Sequence, residues 1–162
     1  MLKDSMLKSL NKQINEEMFS SYLYLSMAAY FESINLKGFA HWMRVQSREE
    51  TSHAMKFFNY VIEAGGNIEL QAIAAPKIKW ESPLKIFEES LAHEKKITAL
   101  IYSLVEQAMA EKDYAANAML QWFVNEQVEE EANAVEILGK LKMIDKSMGG
   151  LLYLDKELKK RE

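Results

Sequence analysis

Four long stretches of this chain carry apolar residues at alternating steps of three and four, and each stripe is interrupted at its middle by a carboxylate, an amide or a histidine. The first reads Leu7, Leu10, Ile14, Glu17, Ser21, Tyr24, Ala28 and Phe31. The second reads Phe39, Met43, Gln46, Glu50, His53, Phe57, Tyr60 and Ala64. The third reads Phe87, Leu91, Glu94, Thr98, Ile101, Val105 and Ala108, and the fourth Ala116, Leu120, Phe123, Gln127, Glu130, Ala134, Ile137 and Leu141. Such spacing predicts amphipathic helices that bury one face. A buried carboxylate without a partner is expensive to desolvate. Four interruptions at one level therefore point to a shared partner inside the fold.

Only two prolines and six glycines occur, and they read as breaks between long helices. Gly65-Gly66-Asn67 stops the second helix, Ser82-Pro83 supplies an N-cap and a first-position proline for the third, and Asp113 can cap the fourth. A short amphipathic segment follows Gly149-Gly150. Links one and three are short, so they join antiparallel neighbours. The middle link, from Gly65 to Ser82, is about 18 residues and can stretch to roughly 60 Å. That is enough to pass beside a helix of about 39 Å and to make helices two and three parallel. The expectation is an all-α, ferritin-like four-helix bundle with one long crossover, over about residues 5–142, and a short fifth C-terminal helix at about 147–160. A chain of 162 residues, 49% of them apolar, is enough for one domain spanning 1–162 with a sizeable core.

Residues three apart on a helix are about 60° apart around the axis and ~4.5 Å apart along it, so Glu50 and His53 can reach one ion. Gln127 and Glu130 share the spacing, and Glu17 and Glu94 come from the other two helices. Carboxylate oxygens with one imidazole and no thiolate suit a metal of the iron or manganese type. Di-iron bundles use one Glu from each of two helices and Glu-x-x-His from the other two. Here helix four carries Gln127-x-x-Glu130 instead. The two metal positions become unequal: Glu17, Glu50 and His53 furnish the first, with Glu94 as the expected bridge, while Glu94 and Glu130 serve a weaker second. A loosely held second ion suits a metal that enters, is oxidised and leaves.

At these residues the chain resembles the bacterial non-haem ferritins over almost its whole length. The matching pieces are Met1-Leu2-Lys3, Gln13 through Ser21, Tyr24, Glu49-Glu50-x-x-His53, Glu94, Leu120-Gln121-Trp122, Glu126-Gln127 with Glu129-Glu130-Glu131, and Leu152-Tyr153 with Asp155-Lys156-Glu157-Leu158. The resemblance implies a ferroxidase centre of Glu17, Glu50, His53, Glu94, Gln127 and Glu130, where Fe2+ is oxidised by O2 or H2O2. It implies a third iron position at Glu49, Glu126, Glu129 and Glu130. It also implies a hollow homo-oligomeric shell of twenty-four subunits that stores ferric mineral. Haem-containing bacterioferritins place methionine two residues before the helix-two histidine and keep Glu-x-x-His on helix four. Thr51 and the Gln127 pair depart from both, so no haem is expected. Rubrerythrins need a Cys-rich iron domain, and this chain has no Cys. Mini-ferritins that protect DNA share ligands between subunits, whereas this set is complete within one bundle.

Tyr24 is placed to hydrogen-bond a ligand carboxylate; Trp122 reads as packing, and His41 and His93 as partly exposed residues without a role. The ten methionines are scattered as core and interface filler. Lys and Arg number 20 against 24 Asp and Glu, a net charge of -4, which argues against a nucleic-acid surface. Neither a signal sequence nor a membrane-spanning stretch is evident, and a cytoplasmic location is expected. Two other functions fit the residues less well: a di-iron peroxidase or oxidase that stores no iron, and a metal-free helical interaction protein.

Overall fold

The computed structural model describes residues 2–162; Met1, the first residue of the Met1-Leu2-Lys3 match and of the expected domain, lies outside them. Five helices follow in order: α1 (Asp4–Ser33), α2 (Lys37–Glu63), α3 (Pro83–Glu111), α4 (Tyr114–Ile144) and α5 (Met148–Leu158). The expected caps are in place. Ser82 Oγ accepts from Lys85 N at 3.2 Å, with Pro83 in the first turn, and Asp113 Oδ1 accepts from Ala116 N at 3.0 Å. Ser147 caps α5 in the same way, through Gly150 N at 3.1 Å. Gly38, Gly139, Gly149 and Gly150 are no breaks: they lie within α2, α4 and α5, and α5 begins at Met148, ahead of the Gly149-Gly150 pair.

α1 packs chiefly on α2, and α3 on α4. Side chains joining α1 to α3 fall in reverse order, Ser9 to Gln107, Ser20 to His93 and Met27 to Ser90, so these helices are antiparallel. α2 is antiparallel to α1 by its short turn, and hence parallel to α3, as the long link requires. Residues 64–82 run alongside α1 in its own direction. Asn11 holds the backbone at Asn67 and Glu69, Asn15 holds Ala72, and Ser26 holds Lys77. These side-chain bonds give an otherwise unpaired backbone its partners.

α2 starts without a cap of its own. Gly38 N and Phe39 N donate instead to Asp155 Oδ1 at 2.8 and 3.0 Å, so α5 supplies the cap from 117 residues away. Only glycine fits at 38, because a Cβ there would lie 1.6 Å from the Asp155 carbonyl oxygen. This contact fixes α5 across the start of α2.

The apolar core divides into two clusters. One gathers Met27, Phe31, Phe39, Met43 and Phe87; the other gathers Leu10, Ile14, Phe57, Ile101, Leu120 and Phe123. Between them lies a buried polar layer drawn from all four long helices. The α4 stripe is buried from Ala116 to Leu141. On α1 the buried face is wider than its stripe, taking in Met6, Gln13, Ser20 and Met27.

Candidate metal centre

The polar layer holds Glu17, Glu50, His53, Glu94, Gln127 and Glu130, each at most 5% exposed. Each arrives from the middle of its own helix, so the layer needs no loop to position it. Among the described residues, three sets of ligand atoms come within 4.8 Å of one another: Glu17, Glu50 and His53; Glu50, Glu94 and Glu130; and His53, Glu126 and Glu130. Glu50 is the carboxylate common to the first two sets. The expected bridge, Glu94, belongs only to the second, because α3 lies against α1 and α4 while α2 projects Glu50 between both sets.

Amides orient these carboxylates. Gln13 Nε2 donates to Glu17 Oε1 at 2.8 Å. Gln46 Nε2 donates to Glu50 Oε1 at 2.9 Å and to Glu130 Oε2 at 2.7 Å, tying α2 to α4. Gln127 Nε2 faces Glu94 Oε2 at 3.3 Å, and the Tyr24 hydroxyl donates to Glu94 Oε1, the contact expected of it. Gln13 and Gln46 were not among the predicted site residues. Their signal was present all the same: each lies four residues before a buried Glu, the spacing that lets an amide reach a carboxylate along one helix face.

Burial and crowding leave the layer short of positive charge. Burial and the Glu50 charge push Glu94 and Glu130 up to about 8, and Glu17 is also raised well above the ordinary carboxylate range by burial and Glu50. Burial lowers His53, yet its bond to Glu50 and the charges of Glu50, Glu130 and Glu126 outweigh that, and the net shift is upward. Burial and Glu94 raise Tyr24, so its phenol stays a donor. Glu17 Oε2 is fully buried with no hydrogen-bond partner among the described residues. An orphaned oxygen on a carboxylate that shares a ligand set with Glu50 and His53, in a layer where burial raises Glu17, Glu94 and Glu130, fits a divalent cation. Hard oxygens with one imidazole fit iron or manganese best.

Of the residues expected at a third position, Glu126 and Glu130 share a set with His53, and Glu49 lines one pocket with His53 and Glu126. Glu126 reaches His53 Nε2 at 3.6 Å. Glu49 pairs with Arg161, and Glu129 is exposed and joins none of the three sets. Trp122 packs edge-on against His53, with ring centroids 5.5 Å apart. His41 is half-buried and meets the Arg161 carbonyl. His93 departs from expectation: it is buried, its Nε2 lies 2.8 Å from Ser20 Oγ, and its ring stands edge-on to Tyr24. It neighbours Glu94 on a helix whose buried face is wide enough to include it, and desolvation lowers its pKa and keeps it neutral.

No helix is long and apolar enough to cross a membrane among the described residues. The ferritin-like domain family matches residues 7–144. The chain is 42% identical over 161 residues to a bacterial non-heme ferritin of Bacteroides fragilis, covering 99% of this chain and all of that relative. It is 39% identical over 158 residues to one of Staphylococcus aureus, covering 98% and 95%. The fold superposes on an open-pore ferritin from the hyperthermophilic archaeon Archaeoglobus fulgidus with a TM-score of 0.99, at 52% identity, over all of this chain and 99% of that one. Since these likenesses run through the four helices that build the carboxylate layer, the chain belongs to the ferritin family.

Proposed function

We propose that this chain stores iron by oxidising Fe2+ at the buried carboxylate layer and passing Fe3+ to a mineral inside a homo-oligomeric shell. The observation that carries this reading is Glu50, held by Gln46 and shared between a Glu17–His53 set and a Glu94–Glu130 set. Two substrate ions are thereby brought to one carboxylate. Two Fe2+ supply the two electrons that, with two protons, reduce O2 to H2O2 or H2O2 to two waters. Fe3+ is the harder ion, so an oxygen-rich layer favours the oxidised product. His53 serves as the neutral nitrogen ligand. Tyr24 and Gln127 fix Glu94, and Gln127 with Glu130 faces the second iron and the oxidant. The second set lacks an imidazole, which suits release of the product more than retention.

We assign no haem to the centre, place the chain in the cytoplasm, and expect a shell of twenty-four copies. Sedimentation of the iron-loaded protein tests storage directly: a large shell made denser by mineral is the expected result. A dimer that consumes Fe2+ yet gains no dense core would favour a peroxidase or oxidase that stores nothing.

Gln46 offers a further test. Gln46→Leu keeps the side chain's bulk and removes the donor shared by Glu50 and Glu130. The variant is expected to fold and to lose about 10- to 100-fold in affinity for the second ion, the usual cost of losing a group that orients a ligand. Calorimetric titration of the metal-free protein with Zn2+ reads this, and unchanged affinities would remove Gln46 from the site.

A further inference from the structure

The pocket by which solvent reaches His53 and Glu126 has a volume of about 400 Å³ and is lined also by Glu49, Trp122 and Lys56. On the ferroxidase reading, this is the side on which a third ion would meet Glu49 and Glu126. Glu49, however, already has a cation. Arg161 follows α5 and donates Nη2 to Glu49 Oε2. Its guanidinium lies 4.1 Å over the Trp42 ring, and Nη1 points to the Trp42 carbonyl at 3.4 Å. The Arg161 carbonyl in turn meets His41 Nε2 at 2.7 Å. The side chain is only 18% exposed, unlike a surface arginine that swings freely.

This placement is prepared well before Arg161 itself. Asp155 caps α2 at Gly38 and Phe39, and α5 ends at Leu158, whose carbonyl accepts from Arg161 N at 3.4 Å and keeps residue 161 close to the helix end. The guanidinium is therefore delivered to a fixed place on α2, one residue before Glu50. An arginine that stacks on an aromatic ring and donates from two nitrogens loses little further freedom in making its ion pair. A metal ion that needs Glu49 must displace or share a cation that is already oriented.

We propose that Arg161 is a built-in competitor for Glu49, which keeps the third metal position weak so that ions pass through it without resting there. The proposal depends on the ferroxidase reading for the identity of the passing ion, and on the Glu49–Arg161 contact for everything else. It makes Arg161 a positioning residue, acting on metal only through Glu49.

The test is calorimetric titration of the assembled, metal-free protein with Zn2+, supported by anomalous diffraction from Zn2+-soaked crystals to locate each ion. Arg161→Ala is expected to bind an ion at Glu49 and Glu126 about tenfold more tightly than wild type, with the ions at the two Glu50 sets unchanged. Arg161→Lys, which keeps a charge but loses the fork and the stacking, should fall between. Adding Glu49→Gln to Arg161→Ala should abolish the gain. Equal third-ion affinity in wild type and Arg161→Ala overturns the proposal, as does a gain that survives Glu49→Gln. Should Arg161→Ala release α5, seen as lost helix content, Arg161→Gln retains amide hydrogen bonds without the charge and is judged by the same criteria. A wild-type protein without ions at Glu50 and His53 would count against the ferroxidase reading; the comparison at Glu49 decides the role of Arg161 in either case.

Discussion

Replacing Glu50 or His53 with alanine is expected to slow the rapid phase of Fe2+ oxidation by about a hundredfold or more while leaving the helices and the assembly intact. Loss of a group that merely orients a metal ligand costs 10- to 100-fold, so loss of a ligand sets about 100-fold as the lower end. Glu50 belongs to both carboxylate sets, and its removal weakens both ion positions together. His53 is the only nitrogen in the first set. Neither change endangers the fold. Taking out Glu50 relieves the charge crowding that raises Glu17, Glu94 and Glu130, and Gln46 keeps its bond to Glu130. Taking out His53 leaves a gap beside Phe123 and Trp122, whose own edge-to-face contact at 4.9 Å remains. Stopped-flow absorbance and oxygen uptake at two Fe2+ per chain provide the measurement. Uptake at the wild-type rate in either variant would show that oxidation happens elsewhere.

The periodicity of the stripes was enough to place six polar residues in one layer, because a helix repeats its face without reference to its neighbours. Link lengths then settled which helices run parallel. What the chain did not reveal lies in relations between helices. Whether Glu50 or Glu94 stands between the two sets depends on how far each helix rotates about its axis, and a spacing rule leaves that rotation free. The cap on α2 comes from Asp155, distant in sequence, so no local signal marks it. His93 looked exposed because it lies beside the Glu94 stripe, yet the buried face of α3 extends to it. Gln13 and Gln46 were legible in principle. An amide on an apolar stripe attracts less notice than a carboxylate, although each stands four residues before one. The same reasoning separates Glu126 from Glu129: on one helix, 126 faces His53 on α2 and 129 faces solvent.

Raising the pH from about 7 to about 9 should lower the melting temperature of the metal-free protein by on the order of 10 °C, and Zn2+ should reverse the loss most strongly at the alkaline end. Glu94 and Glu130 titrate near 8 in the folded chain, against 4.5 when unperturbed. Between those values the folded chain holds protons that the unfolded chain has released, so stability falls as pH rises. The contribution is complete below about 4.5 and is lost as pH passes through 8. His53, also raised when folded, acts in the same sense. His93 opposes it, since its lowered pKa makes the unfolded chain the better proton acceptor, but that effect is confined to pH below the ordinary histidine value of 6.5. The paired surface carboxylates Glu32, Glu88, Glu111 and Glu157 are lowered from 4.5 and are fully ionised well before pH 7. The window from 7 to 9 therefore reports mainly on the buried layer. Each pKa unit corresponds to about 1.4 kcal/mol, so even a partial loss of two or three kcal/mol is measurable, at about 2–4 °C per kcal/mol for a chain of this size. A metal bound only by the native state adds stability, about 2.7 kcal/mol at a hundred times its dissociation constant. Because it must displace the same protons, its increment grows with pH. Scanning calorimetry with and without Zn2+ at pH 7, 8 and 9 measures both trends. A metal-free melting temperature that stays level across the window, with one constant Zn2+ increment, would mean that the carboxylates share neither their protons nor an ion.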